Sequence, residues 1–126
     1  MADLTQDILK CDRVAVYGTL KQGYRNHHWL EGARLLGQDR LTALTLYDLD
    51  SYPGAKAAPS NGAIVEVYAI NAQQLALLDQ LEGYAAAAPS EGLYNRAIFP
   101  TQYGDAWCYL YNPEVNDQMK MSNGEW

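Results

Sequence analysis

Asn71–Gly83 constrains the fold most, because it carries both the start and the stop signals of a helix. Asn71 is a favourable N-terminal cap, and Gln74 three residues later can complete a capping box. Ile70 and Leu75 occupy the two positions of a hydrophobic staple. Gly83 stands where a left-handed residue closes a helix. Elsewhere the apolar runs are short and rich in Val, Ile, Tyr and Thr, which favours strands. These runs are Val14–Tyr17, Ala33–Tyr47, Ala63–Ile70, Tyr94–Pro100 and Ala106–Tyr111. Ala33–Tyr47 reads as one long bent strand or two short ones, with Gly37 as a bulge. Five to seven strands, one clear helix and no regular alternation predict an α+β fold. In it a small closed or nearly closed sheet carries the helix, rather than a doubly wound sheet.

The remaining segments read as connections. Asp48–Gly62 is a loop with turn signals at Tyr52-Pro53-Gly54 and Pro59-Ser60-Asn61-Gly62. Tyr24–Glu31 is a short helical turn or irregular segment, and Ala85–Gly92 is a small-residue loop. Residues 1–12 read as an N-terminal extension and 112–126 as a polar tail, within a single domain spanning 1–126. The chain of 126 residues is long enough to bury a core. Its net charge of −6, with no basic stripe, predicts no nucleic-acid partner. Met1–Lys10 lacks the apolar core of a signal peptide, and no stretch is long enough to span a membrane. Cys11 and Cys108 have no metal spacing. Cys108 lies in an apolar run and reads as a buried free thiol; a Cys11–Cys108 disulfide has no support in the sequence. The chain is therefore expected in a reducing, cytoplasmic compartment. The adjacent His27 and His28 read as surface or pocket-rim residues rather than a metal pair.

Two features carry chemistry. The strand Val14–Tyr17 breaks into Gly18-Thr19-Leu20-Lys21-Gln22-Gly23, a turn able to present main-chain N–H groups to an anion or oxyanion. An ordinary strand-ending turn has the same composition. The second feature is Glu82, seven residues beyond Leu75 and therefore in line with it on the helix. Burial and the carboxyl ends of the helix backbone both disfavour its anion and raise its pKa, as suits a proton-transfer group. A structural ion pair with Arg96 or Lys21 is the alternative. The chain has neither a Gly-x-Ser-x-Gly elbow nor the Gly-Lys-Ser/Thr ending of a phosphate-binding loop.

In order along the chain, several landmarks resemble the gamma-glutamylcyclotransferase-like family, which includes the plant avirulence-induced-gene-like and bacterial YtfP-like proteins. They are Tyr17-Gly18-Thr19-Leu20, Gly23 and Asn26-His27, then Leu46-Tyr47-Asp48 and Tyr52-Pro53-Gly54. Gly62, Leu78-Asp79-Gln80-Leu81-Glu82-Gly83-Tyr84, Tyr94-Asn95-Arg96, Trp107 with Tyr109, and Gly124-Glu125-Trp126 follow. The resemblance implies a small mixed β-barrel with a cavity. It implies that Tyr17, Gly18, Thr19 and Leu20 hold a glutamyl group, that Glu82 is the acid/base, and that Tyr52 and Tyr94 complete the binding set. The reaction so implied cyclises a γ-glutamyl amino acid or amine to 5-oxoproline and needs no metal or redox cofactor. A non-catalytic small-molecule binding protein and a related amide hydrolase are the rival readings on the same fold.

Overall fold

The computed structural model describes residues 4–126, so the expectation for Met1–Asp3 lies outside the described residues. Strand β1 (Arg13–Val16) comes early in the chain but is central in the sheet. It pairs antiparallel with β5 (Ala63–Ala69) and parallel with β7 (Gly104–Tyr111). The outer strands are β2 (Arg34–Leu41) beside β5 and β6 (Tyr94–Thr101) beside β7. Strands β3 (Thr45–Asp48) and β4 (Pro53–Lys56) form a separate two-stranded ribbon. Helix α1 (Thr5–Lys10) and the longer α2 (Ala72–Glu82) complete the set.

Among the described residues the structure is thus mixed α+β, with seven strands and one main helix. Ala33–Tyr47 resolves into two strands, and the register of β2 against β5 shifts between Leu35 and Gly37, where the bulge was expected. Two elements depart from the sequence reading. The Asp48–Gly62 stretch contains β4, and the N-terminal extension contains α1. The expected closure is not made by a ladder, since β2 and β6 are both edges of the five-stranded sheet. At one corner side chains bridge the gap. The Gln102 amide N–H donates to Asp39 at 3.0 Å and its side chain donates to the Gln38 carbonyl.

Alternation along the strands divides the core between the two faces of the sheet. Val14, Val16, Trp107 and Tyr109 face α2, where Leu75 and Leu78 are fully buried. Ala15, Tyr17, Ala106 and Cys108 face the β3–β4 ribbon with Leu44, Leu46 and Ala55. Cys11 and Cys108 are both buried free thiols. Among the described residues no helix is long and apolar enough to cross a membrane.

Helix α2 begins and ends where its signals stand. The Asn71 side chain accepts from the Gln74 amide at 2.8 Å, and the Gln74 side chain accepts from the Asn71 amide at 2.9 Å. Gly83 takes the left-handed conformation at φ 68°, which a side chain would oppose. The Tyr84 amide then reaches back to the Asp79 carbonyl and the Gly83 amide to that of Gln80, a Schellman ending. The Gly83 carbonyl accepts from the Leu93 amide at 3.1 Å, so the Tyr84–Gly92 connection leaves and rejoins the fold at one point.

Candidate active site

An open cavity of about 140 Å³ lies where β1 leaves the sheet. One wall is the end of β1 and the following turn; the opposite wall brings Leu81 and Glu82 from the last turn of α2. Tyr52 and Leu93 reach it from loops and Pro53 from the start of β4. The seven residues expected at a site, Tyr17, Gly18, Thr19, Leu20, Tyr52, Glu82 and Tyr94, all line this one cavity.

The turn is polarised by its own hydrogen bonds. The Gly18 carbonyl accepts from Lys21 N and the Thr19 carbonyl from Asn26 N. The Leu20 carbonyl lies 2.9 Å from His27 Nδ1, and the Thr19 hydroxyl oxygen accepts from the Asn26 side chain. Downstream, Gln22 N donates to the Glu66 carboxylate, which also accepts from Tyr68. Among the described residues, the main-chain N–H groups of Gly18, Thr19 and Leu20 donate to no protein acceptor. Acceptors are consumed and donors are left, which favours an anionic ligand. Gly18 is required sterically: a Cβ there would lie 2.5 Å from the Pro53 ring. That close approach lets the Tyr52–Pro53 loop close down beside the turn.

Glu82 has neither a hydrogen-bond donor nor a cation within ion-pair distance among the described residues. Burial raises its pKa from 4.5 to about 7, the direction its place on the stripe predicts. Both cations offered by the ion-pair alternative are engaged elsewhere. Arg96 binds Asp79 through two nitrogens and Asp7 through one, between the rings of Tyr84 and Trp107. Lys21 Nζ donates to the main-chain oxygen of Trp126. His27 and His28 turn their Nδ1 atoms to different carbonyls, those of Leu20 and Arg25.

The tyrosines divide by function. The Tyr17 hydroxyl donates to the Tyr109 carbonyl at 2.7 Å and accepts from Ala55 N at 3.1 Å, joining the turn, the sheet and the ribbon. The Tyr94 hydroxyl donates to the Pro53 carbonyl at 2.8 Å. Burial holds both phenols above their usual pKa, so both are neutral donors. Tyr17 and Tyr94 therefore offer ring surface to the cavity while their hydroxyls hold its walls together. Tyr52 has no such bond among the described residues.

Sequence reasoning did not select Arg25, Leu81, Leu93 or Tyr109 for the cavity. Leu81 immediately precedes Glu82, and Leu93 rejoins the fold at Gly83, so their signal was proximity to Glu82. Arg25 stands in an irregular segment without periodicity, and only its closeness to the glycine turn marked it.

Residues 14–126 match the family described as Gamma-glutamyl cyclotransferase, AIG2-like. The chain belongs to this family. It is 38% identical over 115 residues to the gamma-glutamylcyclotransferase family protein YtfP of Escherichia coli K12, covering 90% of this chain and 95% of that one. The solution structure of the Escherichia coli ytfP protein superposes with a TM-score of 0.69 over the same shares of the two chains. The uncharacterized protein PH0828 of Pyrococcus horikoshii superposes with a TM-score of 0.73 at 25% identity, covering 90% of this chain and 87% of that one. The gamma-L-glutamyl-butirosin B gamma-glutamyl cyclotransferase of Niallia circulans is 28% identical over 117 residues, covering 88% of this chain and 72% of that protein. Membership supports a cyclotransferase activity in general.

Proposed function

We propose that this gamma-glutamylcyclotransferase-family protein cyclises a γ-glutamyl compound to 5-oxoproline and releases the attached amine, with Glu82 as general acid/base. The observation that carries the reading is a carboxyl raised to about 7 and, among the described residues, without a partner, in one cavity with three residues whose main-chain N–H groups have no protein acceptor among them. A group with that pKa accepts and returns protons near neutrality.

The substrate contains its own nucleophile. Its α-nitrogen attacks the γ-carbonyl carbon, forming the ring C–N bond; the C–N bond to the departing amine then breaks. The α-nitrogen loses two protons and the departing nitrogen gains two, so a single carboxyl can relay them in turn. Because attack is intramolecular, the main demand on the protein is to hold the folded conformer. The amides of Gly18–Leu20 would receive the substrate carboxylate or the tetrahedral oxyanion. Two buried free thiols, Cys11 and Cys108, support a reducing, cytoplasmic setting, and the Gln102 bonds to Asp39 and Gln38 across the open side of the sheet support the family's barrel as the frame.

The test is 5-oxoproline release from a panel of γ-glutamyl amino acids and amines, by wild type and Glu82→Gln. Turnover is expected to fall by roughly 10²- to 10⁴-fold while 5-oxoproline still binds. Undiminished turnover would reject the role of Glu82. Binding without product would favour a non-catalytic binding protein, and free glutamate would identify a hydrolase.

A further inference from the structure

Resting on the cyclotransferase reading, we infer that Arg25 selects the leaving group and recognises a carboxylate on the carbon next to the departing nitrogen. The proton-transfer residue and the anion-binding turn, on opposite walls, are the buried or half-buried part of the cavity lining, with Val16 and Leu81 beside them. The outer residues differ in character: Arg25 is exposed, and Leu93 is 43% exposed. A γ-glutamyl group held between these walls therefore directs whatever is attached through its amide toward Arg25.

Among the described residues, Arg25 and Glu82 are the only ones of formal charge that line the cavity. Arg25 is also held in place. One Nη donates to the Ser51 carbonyl at 2.7 Å, spanning the mouth from the turn side to the Tyr52–Pro53 side. This is the only hydrogen bond its guanidinium makes among the described residues, and a guanidinium has five N–H donors. The remaining donors suit the paired oxygens of a carboxylate. An exposed arginine is ordinarily free to sample solvent; one tethered across a cavity mouth presents its charge in one place. An amino acid joined through its α-nitrogen carries a carboxylate to that place, whereas a simple amine carries none.

γ-Glutamyl-alanine and γ-glutamyl-ethylamine differ only by that carboxylate, and their kcat/KM values read the inference directly. Wild type is expected to favour γ-glutamyl-alanine by about 10- to 100-fold. In Arg25→Gln the ratio should collapse toward one through loss on γ-glutamyl-alanine, with Arg25→Lys restoring part of it. A wild-type ratio near one overturns the inference and leaves the cyclotransferase reading standing. So does an Arg25→Gln variant that lowers both compounds equally, since Arg25 would then hold the glutamyl part or the loop. No 5-oxoproline from either compound, or from any of the γ-glutamyl panel, overturns the underlying reading and this inference with it.

Discussion

Asp79 and Glu82 are carboxylates three residues apart on one helix, and the fold treats them in opposite ways. Asp79 accepts two hydrogen bonds from Arg96 and one from the Tyr109 hydroxyl, with its side chain only 12% exposed. Glu82, at the helix end, has neither donor nor cation among the described residues, and burial pushes its pKa to about 7. The fold thus neutralises the carboxylate that fastens α2 to the sheet and leaves the one in the cavity uncompensated. Partnering rather than depth separates a structural carboxylate from a chemical one, because desolvation without compensation shifts a pKa. The fastened residue also serves the free one, since Asp79 fixes the helix turn from which Glu82 projects.

This contrast can be broken from either end. The largest effect is expected at Arg96, whose side chain is 1% exposed. Arg96→Met strands Asp79 and should cost about 3–5 kcal/mol of stability, read as a lower urea midpoint. Glu82→Gln should instead leave the midpoint unchanged or raise it. A comparable loss in both variants would mean that Glu82 has a stabilising partner after all.

Acidity gives the next effect. The folded chain holds the Glu82 proton more tightly than the unfolded chain between pH 4.5 and about 7. Stability should therefore fall as pH rises through that window and level off above it. The fall attributable to this group is at most about 3 kcal/mol. Urea titrations at pH 5 and pH 8 should show the slope in wild type and lose it in Glu82→Gln. For catalysis the sign reverses: kcat/KM should climb through about pH 7 as the base is freed. A flat profile there would remove Glu82 from proton transfer.

The smallest effect concerns the committed phenols. Tyr17→Phe leaves the buried Ala55 N–H without its acceptor and should cost about 1–3 kcal/mol, measured by thermal denaturation. Its loss of turnover should track the loss of folded protein. A large kcat defect in fully folded protein would show that the Tyr17 hydroxyl acts on substrate.

What the sequence disclosed was local. The ends of α2 were legible because Asn71, Gln74 and Gly83 act within a few residues, and seven residues of helix fixed the direction of Glu82. Features created by distant parts of the chain were hidden. Strand β4 consists of Pro-Gly-Ala-Lys, weak strand formers, and it exists because β3 pairs with it and the Tyr17 hydroxyl holds Ala55. Helix α1 has six residues, too few to persist alone, and Asp7 ties it to Arg96 across 89 positions. Arg96 was offered as a partner for Glu82 and binds Asp79 instead. The two carboxylates lie close on the same helix, so sequence spacing did not separate them. Tyr17 and Tyr94 line the cavity, but the destinations of their hydroxyls, Tyr109 and Pro53, depend on folded geometry.

The pinch at Gly83 and Leu93 has a consequence for how this chain can change. A Cβ on Gly92 would lie 2.3 Å from the Gly83 carbonyl, so the two ends of the Tyr84–Gly92 excursion are nearly in contact. Asn112 secures the returning end through the carbonyls of Pro89 and Gly92. Extending a loop whose ends are already joined adds little closure entropy, about 0.6 kcal/mol for each doubling. Extra residues inserted near Ala86–Ala87 would lengthen this excursion without shifting the helix that carries Glu82. The molecule thus has a natural insertion point, where the loop can grow while the chemistry at Glu82 is preserved.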